Sequence, residues 1–483
     1  MQDQSAEAAA LAPDTGSWDE ETDVVVAGAG GAGLAAAYEA GRAGARAIVF
    51  EKQQRLLESS TAISVGRFSF AGTDIQLAHG VHDSNELLSR DILQVGRGRN
   101  DPALVQAYVD HQLDTYKCLV ELGVRWGATV AAEAGMSIQR GHLTDPVDLV
   151  RILRGAVERQ GAPVLPGTPV TALVHDAAGR VTGAVVRHRD GSPRRVRACR
   201  AVVLATGGFA RDARRLAQIH PLFEHVAATS GAGHTGDGLR MATALGAQLR
   251  DMEHVKPSFE LYRHGSTSDD IVLLFLKGGV IVNARGERFV NEAVSYKDIG
   301  MACLEQPGRM AWQVVDSRIF EAAREEGRTG RKSPLTIDES KRRMFVRGDS
   351  IRGLARAAGL PEDALAATIE RYNASVDAGH DADFGRDVLA GNYGRPVRLD
   401  APPFYACPTV GHMLATYAGI WVRPDMAVRT ATGVVPGLYA AGEAVGGFHG
   451  ESYTSGTALG KALIFGRIAG MSAAARAASS TSA

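Results

Sequence analysis

The sequence predicts an α/β fold, a large domain of parallel strands and helices interrupted by a smaller inserted α+β unit. Three observations carry this. A buried strand, a glycine-rich turn and an alanine-rich helix follow one another between Thr22 and Lys52 (TDVVVAGAGGAGLAAAYEAGRAGARAIVFEK). Charged, helix-like segments such as Asp349 to Asn373 fill the middle of the chain. A further strand and a capped helix return after residue 400, in GLYAAGEAVGGFHGESYTSGTALGKALIFGRIAG (437–470). Strand–helix alternation at one end and helix-rich sequence between belong to packed α/β and α+β units, and 483 residues are too many for one simple core.

The first stretch specifies a nucleotide site. Val24 to Ala27 is apolar on both faces, as a buried parallel strand requires. Gly28-Ala29-Gly30-Gly31-Ala32-Gly33 follows, then a helix from about Leu34 to Ala43 that Gly44 stops, then a strand from Ala47 to Phe50 ending in Glu51. Gly28 permits the tight turn, Gly30 lets backbone approach a pyrophosphate, and Gly33 lets helix and strand pack closely. The phosphates rest on the helix N-terminus. Glu51, 23 residues after Gly28, stands where an acid binds a ribose 2′-OH and disfavours a 2′-phosphate. That leaves FAD or NAD.

The later turns decide for FAD. ESSTAISVGRFSFAG (58–72) offers Ser59, Ser60, Thr61, Ser64 and Gly66 as a hydroxyl-rich second pass along a pyrophosphate. VRACRAVVLATGGF (196–209) is a strand ending in Ala205-Thr206-Gly207-Gly208; Gly236-Asp237-Gly238 heads a helix; PGLYAAGEAVGG is a strand leading to Glu443. A ligand touched by five separated turns is long and folded into its domain. Gly31, Ala32, Lys52, Val65, Val170, Tyr417, Ala458 and Leu459 complete the candidate cofactor set. The GxGxxG spacing recurs once after residue 33, in Gly231-Ala232-Gly233-His234-Thr235-Gly236, which runs into the Gly236-Asp237-Gly238 turn already given to FAD, so no nicotinamide site is expected. Electrons then enter or leave by the flavin face that meets substrate, or through a partner.

Composition excludes other classes. A net charge of −1 argues against nucleic acid or an anionic membrane surface. The basic run Arg187 to Arg200 reads as the wet face of a hairpin turning at Asp190-Gly191. Cys118, Cys199, Cys303 and Cys407 are far apart, without CxxC or CxxCH, and fit a reducing compartment. HExxH and HxxxH are absent, so no metal is expected. Residues 1–20 lack the basic start and apolar core of a signal peptide and read as a disordered leader. With no long apolar run free of glycine and charge, no membrane span is expected and the protein reads as cytoplasmic.

Beyond these motifs, VNARGERFVNE (282–292), the segment PEDALAATIERYNASVDAGHDADFGR (361–386), ATGG, TGDG and PGLYAAGE together resemble the fumarate reductase/succinate dehydrogenase flavoprotein superfamily, from Asp23 to about Ala474. The resemblance implies an FAD-binding domain at 21–269 and 397–476, a capping domain at 270–396 and a tail at 477–483. Serines at 59 and 60, where complex-II relatives carry FAD on a histidine, imply non-covalent FAD.

The departures bear on chemistry. Dicarboxylates need paired cationic donors, which the fumarate reductase branch supplies through TRD, HHTMGG and HGANRLGGN. Here Ser295-Tyr296-Lys297-Asp298, Leu414-Ala415-Thr416-Tyr417-Ala418-Gly419 and His449-Gly450-Glu451-Ser452-Tyr453-Thr454-Ser455-Gly456-Thr457 stand in those places. The pattern looks like the 3-ketosteroid dehydrogenases, most of all their Δ4-(5α) branch. That resemblance implies an apolar ketone substrate, with Tyr453 as base, Tyr296 in support, Ser455 as relay and the Gly456 N–H as an enolate donor; the two tyrosine roles are interchangeable. A small unsaturated acid held by Lys297 and Arg263 is the alternative reading, and an electron-transfer subunit without its own substrate is a third. The external electron partner is not identified.

Blander readings stand beside these. A tyrosine in a turn is usually a packing residue with a wet tip, and Tyr116, on a helix from Asp101-Pro102 to Gly123, reads as core. Tyr417 is placed beside the isoalloxazine or in packing. His449 binds flavin or caps the turn. Ile271 to Val280 reads as a buried strand, with an apolar substrate lip as the other possibility.

Overall fold

The computed structural model describes residues 10–328, 334–390 and 394–477. Its larger sheet has nine strands. Glu20–Ala27 lies in the middle, parallel to Ala47–Glu51 on one side and to Pro193–Leu204 on the other. The helix Gly31–Arg42 connects the first two strands. Val24, Val25 and Val26 are wholly buried, because both faces of this sheet are covered.

Val434–Ala440 returns from the far end of the sequence and pairs parallel with Pro193–Leu204, so both ends of the chain build the sheet. Behind it, the helix Thr457–Ala475 packs on Gly31–Arg42; side chains at Gly466 or Gly470 would strike Ala32 O or Ala36 O at 2.3 and 2.2 Å. Among the described residues this is the one helix long and apolar enough to cross a membrane, and 72% of that stretch is buried in the protein.

The basic hairpin forms as expected, Val181–Arg187 against Pro193–Leu204 with Gly191 at φ +87°. Two expectations are corrected. Leu11–Pro13, assigned to the leader 1–20, pairs parallel with Val170–His175 at the sheet edge, and the Arg195 guanidinium stacks 5.3 Å from the Trp18 ring; residues 1–9 lie outside the described part. Ile271 to Lys277 is not a strand. Leu274–Lys277 makes a 3-10 turn that Gly278 closes at φ +115°, and only Val280–Val282 is extended.

A second, six-stranded sheet centres on Phe404–Met413, which takes Met310–Val315, Ser258–Tyr262 and Val346–Gly348 antiparallel and Ala227–Ala228 parallel; Val280–Val282 extends it beyond Met310–Val315. Ser258–Tyr262 and Phe404–Met413 lie outside the 270–396 span expected for the insert. The helices Ile351–Ala358 and Glu362–Ala378 belong to this unit's own core through Leu354, Leu365 and Ile369. A third apolar cluster holds Phe259, Phe275, Ile281 and Ile299 together with Tyr296 and Tyr453.

Candidate active site

A long cavity runs from the first glycine turn of the large sheet to the tyrosines. At one end it is lined by Gly28, Gly30, Gly31, Ala32, Glu51, Lys52, Val170, Ala205, Thr206, Gly207 and Asp237. Ser60, Thr61, Ser64 and Val65 form another wall, with Thr61 against Gly31, and Tyr417, Glu443, Ala458, Leu459 and Tyr453 complete the lining. Gly33 and Gly66 are not in the lining. A Cβ at Gly33 would lie 1.8 Å from Gly28 O, so this glycine sets the approach of helix to turn; one at Gly66 would meet Thr144 O at 2.0 Å.

The lining fits FAD. A Cβ at Gly30 would meet no protein atom closer than Thr61 Oγ1, at 3.7 Å. Its absence is not demanded by protein packing, and it leaves the space at the helix N-terminus open to a phosphate. Glu51 is oriented by backbone: Oε2 accepts from Ala29 N–H at 2.8 Å and Oε1 from Gln53 N–H at 2.7 Å. Lys52 Nζ donates to Thr235 Oγ1 and Asp237 Oδ2 at 2.6 and 2.7 Å, tying the acid's strand to the head of the 237–244 helix. Thr206 Oγ1 is buried without a protein partner, as a hydroxyl that serves a ligand would be.

Some polar groups are already engaged. Gly31 N–H donates to Thr61 Oγ1 at 3.0 Å, and Ser60 Oγ accepts from Gly231 N–H and touches His234 Nε2 at 2.9 Å. Burial alone would raise the Glu443 carboxyl, but His234, the Thr416 N–H and Lys461 hold it at about 2.

At the other end three phenols and an imidazole gather. Tyr417 stacks on Tyr453, ring centroids 4.6 Å apart and 8° from parallel; Tyr296 stands 6.0 Å from Tyr453, and His449 4.5 Å from Tyr417. Tyr417 has φ +55°, a left-handed conformation that costs a non-glycine residue free energy and is frequent at functional sites. Tyr453 O accepts the Gly456 N–H at 2.9 Å, at the head of the 19-residue helix Thr457–Ala475. Burial pushes the Tyr453 phenol up to about 12, against the Ala458 and Gly456 N–H groups, which favour the phenolate. Burial also holds Tyr296 well above 10, and a hydrogen bond from Ser455 draws it back. The Gly456 N–H, expected to face substrate, is thus directed at the phenol oxygen; Ser455, Gly456 and Tyr296 lie behind the lining.

His449 Nε2 contacts Thr457 Oγ1 at 3.2 Å, and burial keeps the ring neutral, well below its ordinary value. The structure thus favours the turn-capping role. Tyr116 is core, its hydroxyl donating to Asp74 at 2.6 Å. Lys297 is buried; its Nζ donates to Lys256 O and Ala415 O at 3.0 and 3.2 Å, and desolvation lowers it to about 8. Arg263 reaches Met310 Sδ and is outside the cavity.

The lining residues that the sequence did not reveal include three titratable ones, Arg67, His234 and Lys461. Lys461 had a signal, a lone lysine in an apolar helix. It is 1% exposed, donates to Val445 O at 2.7 Å and is lowered by burial to about 8. Arg67 and His234 carried no local pattern.

Residues 23–459 match the protein family described as FAD binding domain. A fumarate reductase (cytochrome) of Shewanella frigidimarina is 31% identical over 462 residues, 94% of this chain and 77% of that protein. The open conformation of a flavocytochrome c3 fumarate reductase superposes with a TM-score of 0.78 at 29% identity, over 95% of this chain and 79% of that one. The 3-ketosteroid-Δ4-(5α)-dehydrogenase of Rhodococcus jostii RHA1, solved with 4-androstene-3,17-dione, superposes with a TM-score of 0.76 at 28% identity, over 95% and 98%.

Proposed function

The chain belongs to the FAD binding domain family of fumarate-reductase-type flavoproteins, and from that premise we propose that it desaturates, or in reverse reduces, the C–C bond beside a ketone in a steroid-like or other bulky apolar ring. It is an FAD-dependent oxidoreductase acting on C–C bonds. Bound FAD supplies a hydride acceptor, or in reverse a donor. The chain supplies the proton chemistry and the substrate's surroundings.

One observation carries the reading. Tyr453 O receives a backbone N–H at a helix head, inside the apolar cluster of Phe259, Phe275 and Tyr296. Loss of an α-proton from a weak carbon acid needs a base that is both reachable and stabilised when charged. A buried phenol is a poor base alone, and the Gly456 and Ala458 N–H groups lower its cost of ionisation. The end of the long helix adds positive potential there. Ser455, hydrogen-bonded to Tyr296, supplies a path by which the proton leaves the pair. The apolar cluster excludes water and favours a ring without charge.

The test is anaerobic mixing of the FAD-loaded protein with a saturated 5α-3-ketosteroid, followed at the flavin's visible band. Bleaching that Tyr453→Phe abolishes is the expected result. Bleaching unaffected by that change sinks the assigned role.

The second reading, reduction of a small unsaturated acid, draws support from the 31% identity to a fumarate reductase. Against it, the Lys297 ammonium is held by two backbone carbonyls and Arg263 lies outside the cavity. A neutral ketone gives a KM independent of salt; an acid gives one that rises with ionic strength.

A further inference from the structure

We propose that Arg67 anchors the substrate's carbonyl oxygen and takes up the negative charge that collects there during proton removal, an inference that rests on the ketone reading above. Arg67 opens the short strand Arg67–Ser69, paired with Gly141–Leu143, and lines the cavity that also holds Tyr453 and Tyr417. Its side chain is 8% exposed, and one end is fixed, Nη2 lying 2.7 Å from Glu133 Oε1. Gly141 packs under it, since a Cβ there would come 3.3 Å from Arg67 Cδ. Nε and Nη1 are buried and have no protein partner. Buried donors on a charged group are rarely left unmade, and a ligand oxygen completes Nη1, which donates away from the Nε–Nη2 edge that Glu133 occupies.

The amide and ammonium donors toward the tyrosines are occupied, and His449 Nδ1, which is not, lies outside the cavity lining. The Gly456 N–H goes to Tyr453 O, Lys461 to Val445 O, and Lys297 to two carbonyls. Thr206 Oγ1 and Ser230 Oγ are also unpartnered in the lining, but neither hydroxyl carries the charge an enolate oxygen calls for, and His234 Nδ1 faces the Glu443 carboxylate at 3.6 Å. Glu133 balances the resting charge of Arg67, so a neutral ketone enters without meeting a net cation. With FAD bound as the hydride acceptor, passage of the α-proton to Tyr453 O and loss of the β-hydride would leave the α C–H electron pair as the new C=C bond. On the way, charge accumulates on the carbonyl oxygen, where the Arg67 Nη1–H binds it more strongly than it binds the neutral ketone.

The test is binding of para-chlorophenol to the FAD-loaded protein, since its phenolate mimics an enolate and gives a charge-transfer band with oxidised flavin. Arg67→Met should weaken phenolate binding about tenfold or more and raise the pH at which the bound phenol ionises. Arg67→Lys should restore part of both, and chlorobenzene binding should not change. Glu133→Gln, which keeps the guanidinium and removes its counter-charge, should tighten phenolate binding. If Arg67 serves structure alone, Arg67→Met lowers FAD content or melting temperature while the bound phenol ionises at an unchanged pH, and the proposal fails. It fails equally if Glu133→Gln leaves phenolate binding unaltered, or if fumarate binds in an Arg67-dependent way and the phenol does not. Binding requires no turnover, so the result is separable from the ketosteroid test. An Arg67-dependent phenolate without ketone-driven bleaching keeps the anchor and removes the reaction. Bleaching without that dependence does the reverse.

Discussion

Gly30 and Gly33 are three residues apart in one turn, yet the structure assigns opposite consequences to a methyl group on each. At Gly30 the backbone is at φ −72° and ψ −177°, open to any L-residue, and the new Cβ would find its nearest protein atom at 3.7 Å. Gly30→Ala should therefore leave folding intact, or add about 0.4–1 kcal/mol by restricting the unfolded chain. The methyl instead occupies space in the cavity beside the helix N-terminus. Overpacking of a tight site costs about 1–3 kcal/mol, which weakens FAD binding by roughly 5- to 150-fold. At Gly33 the Cβ would overlap Gly28 O at 1.8 Å, so Gly33→Ala should disturb the strand–turn–helix itself. The assay pairs FAD titration by flavin fluorescence quenching with urea denaturation of the FAD-free protein. A Gly30→Ala protein with unchanged FAD affinity, or with an FAD-free fold as damaged as that of Gly33→Ala, would refute the assignment of this turn to the pyrophosphate.

Further predictions concern charge, the sheet edge and the phenols. Glu443, held at about 2 against an unfolded value of 4.5, contributes stability that is complete above pH 4.5 and lost as the pH falls toward 2. The amount is about 3 kcal/mol, and Glu443→Gln should flatten denaturation midpoints across that window; an unchanged acid slope removes the carboxylate from the account. A Cβ at Gly183 would lie 2.6 Å from Trp18 Cζ3, so the indole packs on that backbone, and Trp18→Ala should cost about 1–3 kcal/mol in urea. No loss would return residues 10–19 to the role of a leader. Ser455→Ala removes the hydrogen bond that draws Tyr296 down. The alkaline limb of kcat/KM should move to higher pH and kcat fall about tenfold; an unmoved limb separates Tyr296 from the titrating step.

The parts of the fold legible in the sequence are those written in short range. Strand, glycines, helix and acid between Val24 and Glu51 each follow from neighbours a few residues away, and the structure reproduces their order. The helix head at Thr457 was equally local, with Gly456 before it at φ +80°. Ile271 to Val280 was misread because an apolar run has no period, and its compaction into a turn depends on Gly278 at φ +115°. Leu11–Pro13 is too short for any alternation to register. The reach of the second sheet to Phe404–Met413 depends on pairing with strands nearly a hundred residues away, which no local pattern encodes. In the site, Tyr453 was visible as a departure from a family motif. Arg67 was not, because its meaning lies in two donors left without partners, and that is decided by tertiary packing.

The central claim is that a helix-supported phenol removes an α-proton beside a ketone. Its most direct test is rapid anaerobic mixing of the oxidised, FAD-loaded protein with a 5α-3-ketosteroid, unlabelled or deuterated at the α-carbon, monitored at the flavin's visible band. Bleaching that slows on deuteration and disappears in Tyr453→Phe is the expected result. A protein that no ketone bleaches, yet whose reduced flavin fumarate reoxidises equally well with and without the Tyr453 hydroxyl, would contradict it.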